Sequence, residues 1–269
     1  MKEKVFQESI KIIAKENLGA DYFKLSLSSP KISHSAKPGQ FVELRVSDAN
    51  IPLLRRPLGV HRVEGNTFEV LCEIVGKGTE LLSKKEPGDF LDVIGPLGNG
   101  FDCDLPSAAR QLPILVAGGM GVAPLIFLAE KLAERKTKNS KFKIKVLIGA
   151  KTKSHILCEK EFKKLGCKVK IATDDGSRGF RGKATDLLKK ELSTVSCQLA
   201  TVYTCGPQAM LKAVAKLSGA HNLPAQVSLE AHMSCGFGAC LGCVVDTKDG
   251  YKRVCKEGPV FWADDIIWG

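Results

Sequence analysis

Apolar and polar positions alternate over short runs through the first hundred residues, at 5–13, 22–28, 40–46, 58–63, 67–75 and 90–94. A period of two marks half-buried strands. Pro38-Gly39, Gly65-Asn66 and Pro87-Gly88-Asp89 fall between the runs and read as turns. A succession of short strands at such intervals predicts a small antiparallel β-barrel over residues 1–104. Near Asp104-Leu105-Pro106 the pattern changes. Apolar strand-like runs at 113–117, 143–149, 168–173 and 200–204 now alternate with helix-length segments at 124–135, 159–165, 184–192 and 208–218. That βαβ alternation predicts an open parallel sheet with helices on both faces over residues 105–225. Residues 226–269 are rich in glycine and cysteine, too few for a core of their own, and expected to need a metal staple. The fold class is α/β with three units.

Composition narrows this little. The 269 residues are 44% hydrophobic and 26% charged, which excludes wholesale disorder. The longest apolar run, 114–128, is broken by Gly118, Gly119, Gly121 and Pro124, so no span of roughly 20 residues suits a membrane. The N-terminal MKEKVFQESIKIIAKEN is charged throughout and has no apolar signal core. A cytoplasmic protein without a membrane partner is expected. The formal charge of +11 raises the question of nucleic acid. The excess sits between Lys131 and Lys170, with 14 basic and 3 acidic residues, and is Lys-rich with little aromatic interleaving. That reads as a solvated face, and no nucleic-acid partner is expected.

The ten cysteines carry the sharpest signal. Cys72, Cys103, Cys158, Cys167 and Cys197 are scattered and read as small buried hydrophobes. Cys235, Cys240, Cys243 and Cys255 are spaced Cys-x4-Cys-x2-Cys-x11-Cys, and the first two gaps are those of a plant-type [2Fe–2S] loop. Gly236, Gly238 and Gly242 let the loop curl so that its thiolates point inward. A hairpin of strands at 244–246 and 252–254, turning at Asp249-Gly250, returns Cys255 to the loop. The alternative is a four-cysteine zinc site, which ordinarily shows two Cys-x2-Cys knuckles where this chain has one.

Two nucleotide signals precede the cluster. Leu54-Arg55-Arg56-Pro57-Leu58-Gly59 offers a guanidinium fork for a pyrophosphate. Gly76-Lys77-Gly78-Thr79 opens a helix expected at 80–85, whose N-terminus favours an anion. Within one barrel the two read as a flavin-nucleotide site. Gly118-Gly119-Met120-Gly121-Val122-Ala123-Pro124 is a strand, a glycine turn and a helix opened by proline, as a dinucleotide site requires, without the strict Gly-x-Gly-x-x-Gly order. A later strand ends at Cys205-Gly206-Pro207, on the same carboxyl edge of the sheet.

Arg56-Pro57 with Gly78-Thr79, the Gly118–Pro124 turn and Cys205-Gly206-Pro207 together resemble the ferredoxin–NADP reductase superfamily. Adding the stretch from Glu230 through Cys235, Cys240 and Cys243 to Cys255 and Phe261, nearly the whole chain is similar to the iron–sulfur flavoprotein electron-transfer subunits of NAD-dependent dihydroorotate dehydrogenases. The resemblance implies a barrel that holds FAD, a domain that holds NAD and a [2Fe–2S] domain. It implies assembly with a catalytic subunit that holds FMN, two of each chain, in pyrimidine biosynthesis. Electrons from dihydroorotate, oxidised on that partner, would cross the cluster and FAD to NAD+. Carried over, FAD is held by Arg56, Pro57, Leu58, Gly59, Leu71, Cys72, Glu73, Gly78 and Thr79. NAD lies along Gly118, Gly119, Gly121, Ala123, Pro124, Cys205, Gly206 and Pro207, and the metal ligands are the four clustered cysteines. No residue is assigned as general acid or base. Glu230 and Cys205 are candidates for the flavin–nicotinamide contact, with a purely structural role an equal alternative. One departure stands out: Gly59 occupies a position where the family has Ser or Thr.

Two rivals remain. A related FAD/[2Fe–2S] subunit of a ferredoxin–NADP, sulfide or hydrogenase complex shares the motifs, but that branch often has aspartate at the first cluster position, where this chain has Cys235. A basic, zinc-stapled binding protein explains the charge and the cysteines and leaves both nucleotide motifs unexplained. NAD against NADP stays open: Lys151 and Lys153 suit a 2′-phosphate, while Asp174-Asp175-Gly176 matches NAD users.

Overall fold

The computed structural model describes residues 4–19, 21–47, 51–103, 112–134, 143–194 and 200–269. Strands β1 (Phe6–Asn17), β2 (Tyr22–Ser28), β3 (Phe41–Arg45), β4 (Arg56–Glu64), β5 (Thr67–Glu73) and β6 (Phe90–Leu97) close into a barrel in the order β1-β2-β5-β4-β3-β6. Every neighbour is antiparallel. Closure leaves no unpaired edge. The period-two pattern fills the interior: Phe23, Leu25 and Leu27 of β2 point inward and join Ile10, Ile12, Val42, Leu44, Val60, Phe68, Val70 and Val93.

Two short helices serve the barrel. The sequence pattern did not reveal α1 (Pro30–Ser35), a single turn whose N-cap Ser29 Oγ accepts from the Ile32 amide at 3.2 Å. It drives the fully buried Ile32 into the core. The other, α2 (Lys77–Ser83), begins earlier than the expected 80–85, because Thr79 Oγ1 accepts from the Val75 amide at 2.9 Å and pins the turn around Gly76. Gly78 and Thr79 therefore lie within its first turn.

The second sheet is built from β7 (Leu112–Gly118), α3 (Val122–Glu134), β8 (Lys145–Ala150), α4 (Glu159–Lys164), β9 (Lys168–Thr173), β10 (Phe180–Arg181), α5 (Ala184–Thr194), β11 (Ala200–Cys205), α6 (Gln208–Ala220) and β12 (Ala225–Ser228). The C-terminal segment adds the hairpin β13 (Val244–Thr247) and β14 (Gly250–Arg253), then β15 (Val260–Trp262). Sheet order is β10-β9-β8-β7-β11-β12-β15. The first six are parallel. Helices α5 and α6 pack on one face through Leu187, Leu188, Leu211 and Val214, and α3 and α4 on the other through Leu125, Ile126, Leu128 and Phe162.

The strands of the nucleotide domain are parallel, as the pattern predicts, and β15 of the C-terminal segment adds an antiparallel edge, with Gln226 opposite Trp262 and Ser228 opposite Val260. Three residues are too few for a period-two signal, so neither β15 nor the two-residue β10 is legible in the sequence. The pairing ties the cysteine-rich segment to the sheet and gives it the core it lacks alone.

Barrel and sheet are packed through α3 against β4. Phe127 of α3 is buried in the barrel core. His61 Nδ1 lies 2.8 Å from the Ala123 carbonyl, and Arg62 Nε donates to Glu130 Oε1 at 2.6 Å. Among the described residues no helix is long and apolar enough to cross a membrane.

Candidate functional site

The barrel opens where β4 and β5 part. Their ladder ends at Val60 opposite Val70. Beyond it, residues 56–59 pair with β3 and residues 71–73 with β2. Arg56, Pro57, Leu58 and Gly59 thus form one lip of a gap, and Leu71, Cys72 and Glu73 the other. The Arg56 guanidinium lies across α2: a Cβ on Gly78 would stand 2.5 Å from Arg56 Cζ. Cationic fork and helix N-terminus therefore meet at the gap, as a pyrophosphate requires. Cys72 points into the barrel core, where burial pushes its thiol up to about 12, so only its backbone faces the gap. Gly59 faces α3, with Pro124 Cβ 3.8 Å from where its own Cβ would stand, leaving room for a small side chain.

Opposite stands the glycine turn. In register, Cys205 at the end of β11 lies beside Ala117 of β7. A Cβ on Gly121 would overlap the Cys205 carbonyl and stand 2.7 Å from the Gly206 amide nitrogen. Gly206, at φ +150°, packs against Gly118 in turn. The two segments predicted to hold one dinucleotide form one surface, with Ala123 and Pro124 in the first turn of α3 behind it. Cys205 is buried, and burial, then the nearby Glu230 charge, pushes its thiol up to about 12. Burial also raises the Glu230 carboxyl, with the Glu73 charge adding to it. Glu230 therefore sits within electrostatic reach of both Glu73 on the barrel lip and Cys205. After β8, the Lys153 amide donates to Ser177 Oγ at 2.8 Å, and Ser177 Oγ donates to Asp175 Oδ1 at 2.6 Å, which joins the two loops that bear on nucleotide choice.

The cysteine loop curls as its glycines require, with Gly236 at φ +76° and Gly238 at φ +88°. Gly242 takes no left-handed conformation; the third such position is Leu241, at φ 59°. The hairpin pairs Val244 with Arg253, so Cys243 and Cys255 meet at its base, the Cys255 amide 3.4 Å from Cys243 Sγ. Arg253 Nη1 donates to the Gly238 carbonyl at 2.8 Å and Arg253 Nε to Glu257 at 2.9 Å, bracing the loop. Burial raises the Cys235 thiol, but the amides of Cys240, Phe237 and Ala239 outweigh it and bring the group down to about 6. The thiols associate in two pairs, Cys235 with Cys240 and Cys255 with Cys243. That donor set fits a [2Fe–2S] cluster, whose two irons take two thiolates each.

Sequence reasoning missed Glu43. It reads as an ordinary strand residue, yet it is 1% exposed, both carboxylate oxygens lack a partner, and a Cβ on Gly236 would stand 2.5 Å from Oε1. Opposite Pro57 in register, it lies between the barrel lip and the cysteine loop. Burial pushes its carboxyl up to about 7, against the pull of Arg55 and Arg56. Glu43 alternates with the inward Val42 and Leu44, so it is the cysteine loop, packed over the barrel, that buries it.

Comparison with known proteins decides the family. Residues 230–267 match the iron–sulfur cluster binding domain of dihydroorotate dehydrogenase B, and residues 115–216 an oxidoreductase NAD-binding domain. The dihydroorotate dehydrogenase B (NAD(+)) electron transfer subunit of Desulforamulus reducens is 40% identical, over 96% of this chain and 97% of its own. This chain belongs to that family. The Bacillus caldolyticus member is 38% identical over 97% of this chain and 98% of its own. Among solved structures, the NADH-dependent reduced ferredoxin-NADP oxidoreductase, studied for flavin-based electron bifurcation, matches with a TM-score of 0.81 and 30% identity, over 96% of this chain and 90% of that one. The family's cluster region in this chain is the curled loop and its hairpin, and its NAD region is the sheet that carries the Gly118–Gly121 turn.

Proposed function

We propose that this chain carries electrons between an FMN-holding dihydroorotate dehydrogenase catalytic subunit and NAD+, with a [2Fe–2S] cluster at Cys235, Cys240, Cys243 and Cys255 and FAD at the β4–β5 gap. The observation that carries the reading is the convergence of three features on one junction. The flavin lip at Arg56–Gly59, the Gly118–Gly121 turn and the cysteine loop are joined through Gly59 with Pro124 and Glu43 with Gly236. FAD supplies the conversion between one-electron transfer and two-electron hydride chemistry. The chain's own residues bind and position: Arg56 and the α2 N-terminus hold pyrophosphate, Gly118, Gly121 and Gly206 let the glycine turn pack against the end of β11, and Gly119, with nothing within 4 Å of its Cβ position, lets a nicotinamide nucleotide approach the backbone. Thiols must stay reduced to bind iron, which suits the cytoplasm.

The partner's docking face is the rim of the cluster loop. Phe237 is 53% exposed, Leu241 60% and Tyr251 77%, an apolar group beside the thiolates. We take the assembly to hold two of each chain. A tagged chain co-expressed with the catalytic subunit should bring it down with FMN, FAD and iron all present. Recovery of the chain alone, with a ferredoxin as its efficient electron partner, would favour the ferredoxin–NADP branch instead.

Arg56→Ala should lose FAD. Each charge-assisted bond to the pyrophosphate contributes about 1.5–3 kcal/mol, so flavin affinity should fall by about 10- to 150-fold. Purified variant with stoichiometric FAD at unchanged affinity would mean that Arg56 is not the anchor. Gly59→Ser, with 3.8 Å to Pro124 Cβ, should fold, retain FAD and shift only the flavin potential. A spectrum without flavin bands would place that side chain in a clash that this geometry does not contain.

A further inference from the structure

His61, Cys158 and Glu161 have no part in the electron path, yet their ligand atoms all lie within 4.8 Å of one another. They come from two domains: His61 from β4 of the barrel, Cys158 from the N-cap and Glu161 from the first turn of α4. Cys158 reaches the others from a left-handed conformation, φ 60°, that a residue with a Cβ rarely adopts.

The histidine makes the cluster more than a contact. His61 is 1% exposed, and its Nδ1 lies 2.8 Å from the Ala123 carbonyl, which only accepts. Nδ1 therefore carries a proton, and in the neutral ring Nε2 presents a lone pair. Nε2 is buried without a hydrogen-bond partner, 3.8 Å from Glu161 Oε1. That is too long for a hydrogen bond. Two ligands sharing a tetrahedral ion, at bond lengths of about 2.0–2.2 Å, stand about 3.3–3.6 Å apart, so the gap is close to that of ligands around an ion. A carbonyl on the other ring nitrogen is also how metal-bound histidines are oriented.

Charges of both signs surround the cluster, and Lys153, Lys160, Lys164 and Arg178 line the cavity beside it. The Glu16, Glu69, Glu130 and Glu161 carboxylates share two cations, Lys24 and Arg62. His61, Cys158 and Glu161 line a cavity of about 620 Å³, room enough for water to complete the coordination.

We infer that His61 Nε2, Cys158 Sγ and Glu161 Oε1 form a zinc site that clamps the barrel to the nucleotide domain. One nitrogen, one sulfur and one oxygen suit zinc better than magnesium or calcium, which take oxygen alone. On binding, the Cys158 S–H bond gives way to a Zn–S bond and the proton passes to solvent. Water takes the fourth position.

The test uses the FAD- and cluster-replete chain, equilibrated with micromolar zinc chloride, desalted and analysed for both metals. The wild type should retain about one zinc beside about two irons, the irons showing that the loop thiols are already engaged. Its zinc absorption edge should show one sulfur at about 2.3 Å among nitrogen and oxygen neighbours at about 2.0–2.2 Å. Zinc should also raise its melting temperature. Cys158→Ser and Glu161→Gln should each keep iron and FAD but lose the zinc and the thermal shift. An iron-replete wild type that retains no zinc overturns the site without recourse to any variant. So does zinc retained equally by both substitutions, or a zinc edge dominated by sulfur.

Discussion

Replacing Cys240 by serine should abolish electron flow from dihydroorotate to NAD+ while sparing NADH oxidation by a dye that draws directly on the flavin. Cys240 is exposed on the loop, its sulfur accepting from the Gly242 amide at 3.4 Å, so its replacement would remove a thiolate without opening a core. The barrel has its own closed ladder and interior, and the nucleotide sheet its own helices, so neither depends on that sulfur. The variant should purify yellow rather than reddish-brown, with FAD near stoichiometric and iron strongly depleted. Coupled orotate formation should fall to background, and NADH–dye activity should stay near the wild-type level. Undiminished coupled turnover in a chain shown to lack iron would remove the cluster from the path.

Gly121→Ala should damage the opposite end of the chain. Its Cβ would overlap the Cys205 carbonyl, and backbone atoms have no rotamer by which to move aside. Relief requires β11 and the glycine turn to separate, and overpacking of that kind costs about 1–3 kcal/mol. If that cost falls on the nucleotide surface, kcat/KM for NADH should drop by about 5- to 150-fold. FAD and iron contents should not change, because Arg56 and the cysteine loop lie outside the overlap. A variant with wild-type NADH kinetics and a normal melting temperature would mean that the turn has slack absent from this packing.

How far the sequence reveals such a site depends on the distance over which its parts cooperate. The cysteine loop was legible because its geometry is local: three thiols, curled glycines and a hairpin turn at Asp249-Gly250 lie within one short stretch. The barrel strands were legible because a half-buried sheet imposes a period of two. Even locally there were limits: Leu241, not Gly242, takes the left-handed turn, since interactions around the loop can hold a side chain in a conformation that sequence reading assigns to glycine. What failed was what tertiary contact alone creates. Glu43 becomes interior only when the cysteine loop covers the barrel. β15 is recognisable only by the strand it joins. His61 and Cys158 lie almost a hundred positions apart, and in sequence Cys158 reads as a scattered buried thiol because nothing in its neighbourhood signals a histidine from another domain.

We propose a division of labour in which this chain moves electrons and does not itself oxidise dihydroorotate. Removing a proton from carbon together with a hydride requires a positioned base beside a flavin, and the β4–β5 gap proposed for FAD faces the start of α3 and its glycine turn. The direct measurement supplies dihydroorotate and NAD+ to the pure, FAD- and cluster-replete chain and follows orotate and NADH by absorbance, with and without the FMN-bearing catalytic subunit. The expected result is no orotate from the chain alone, and orotate and NADH in equal amounts once the partner is added. Steady turnover by the chain without any FMN-bearing partner would contradict it.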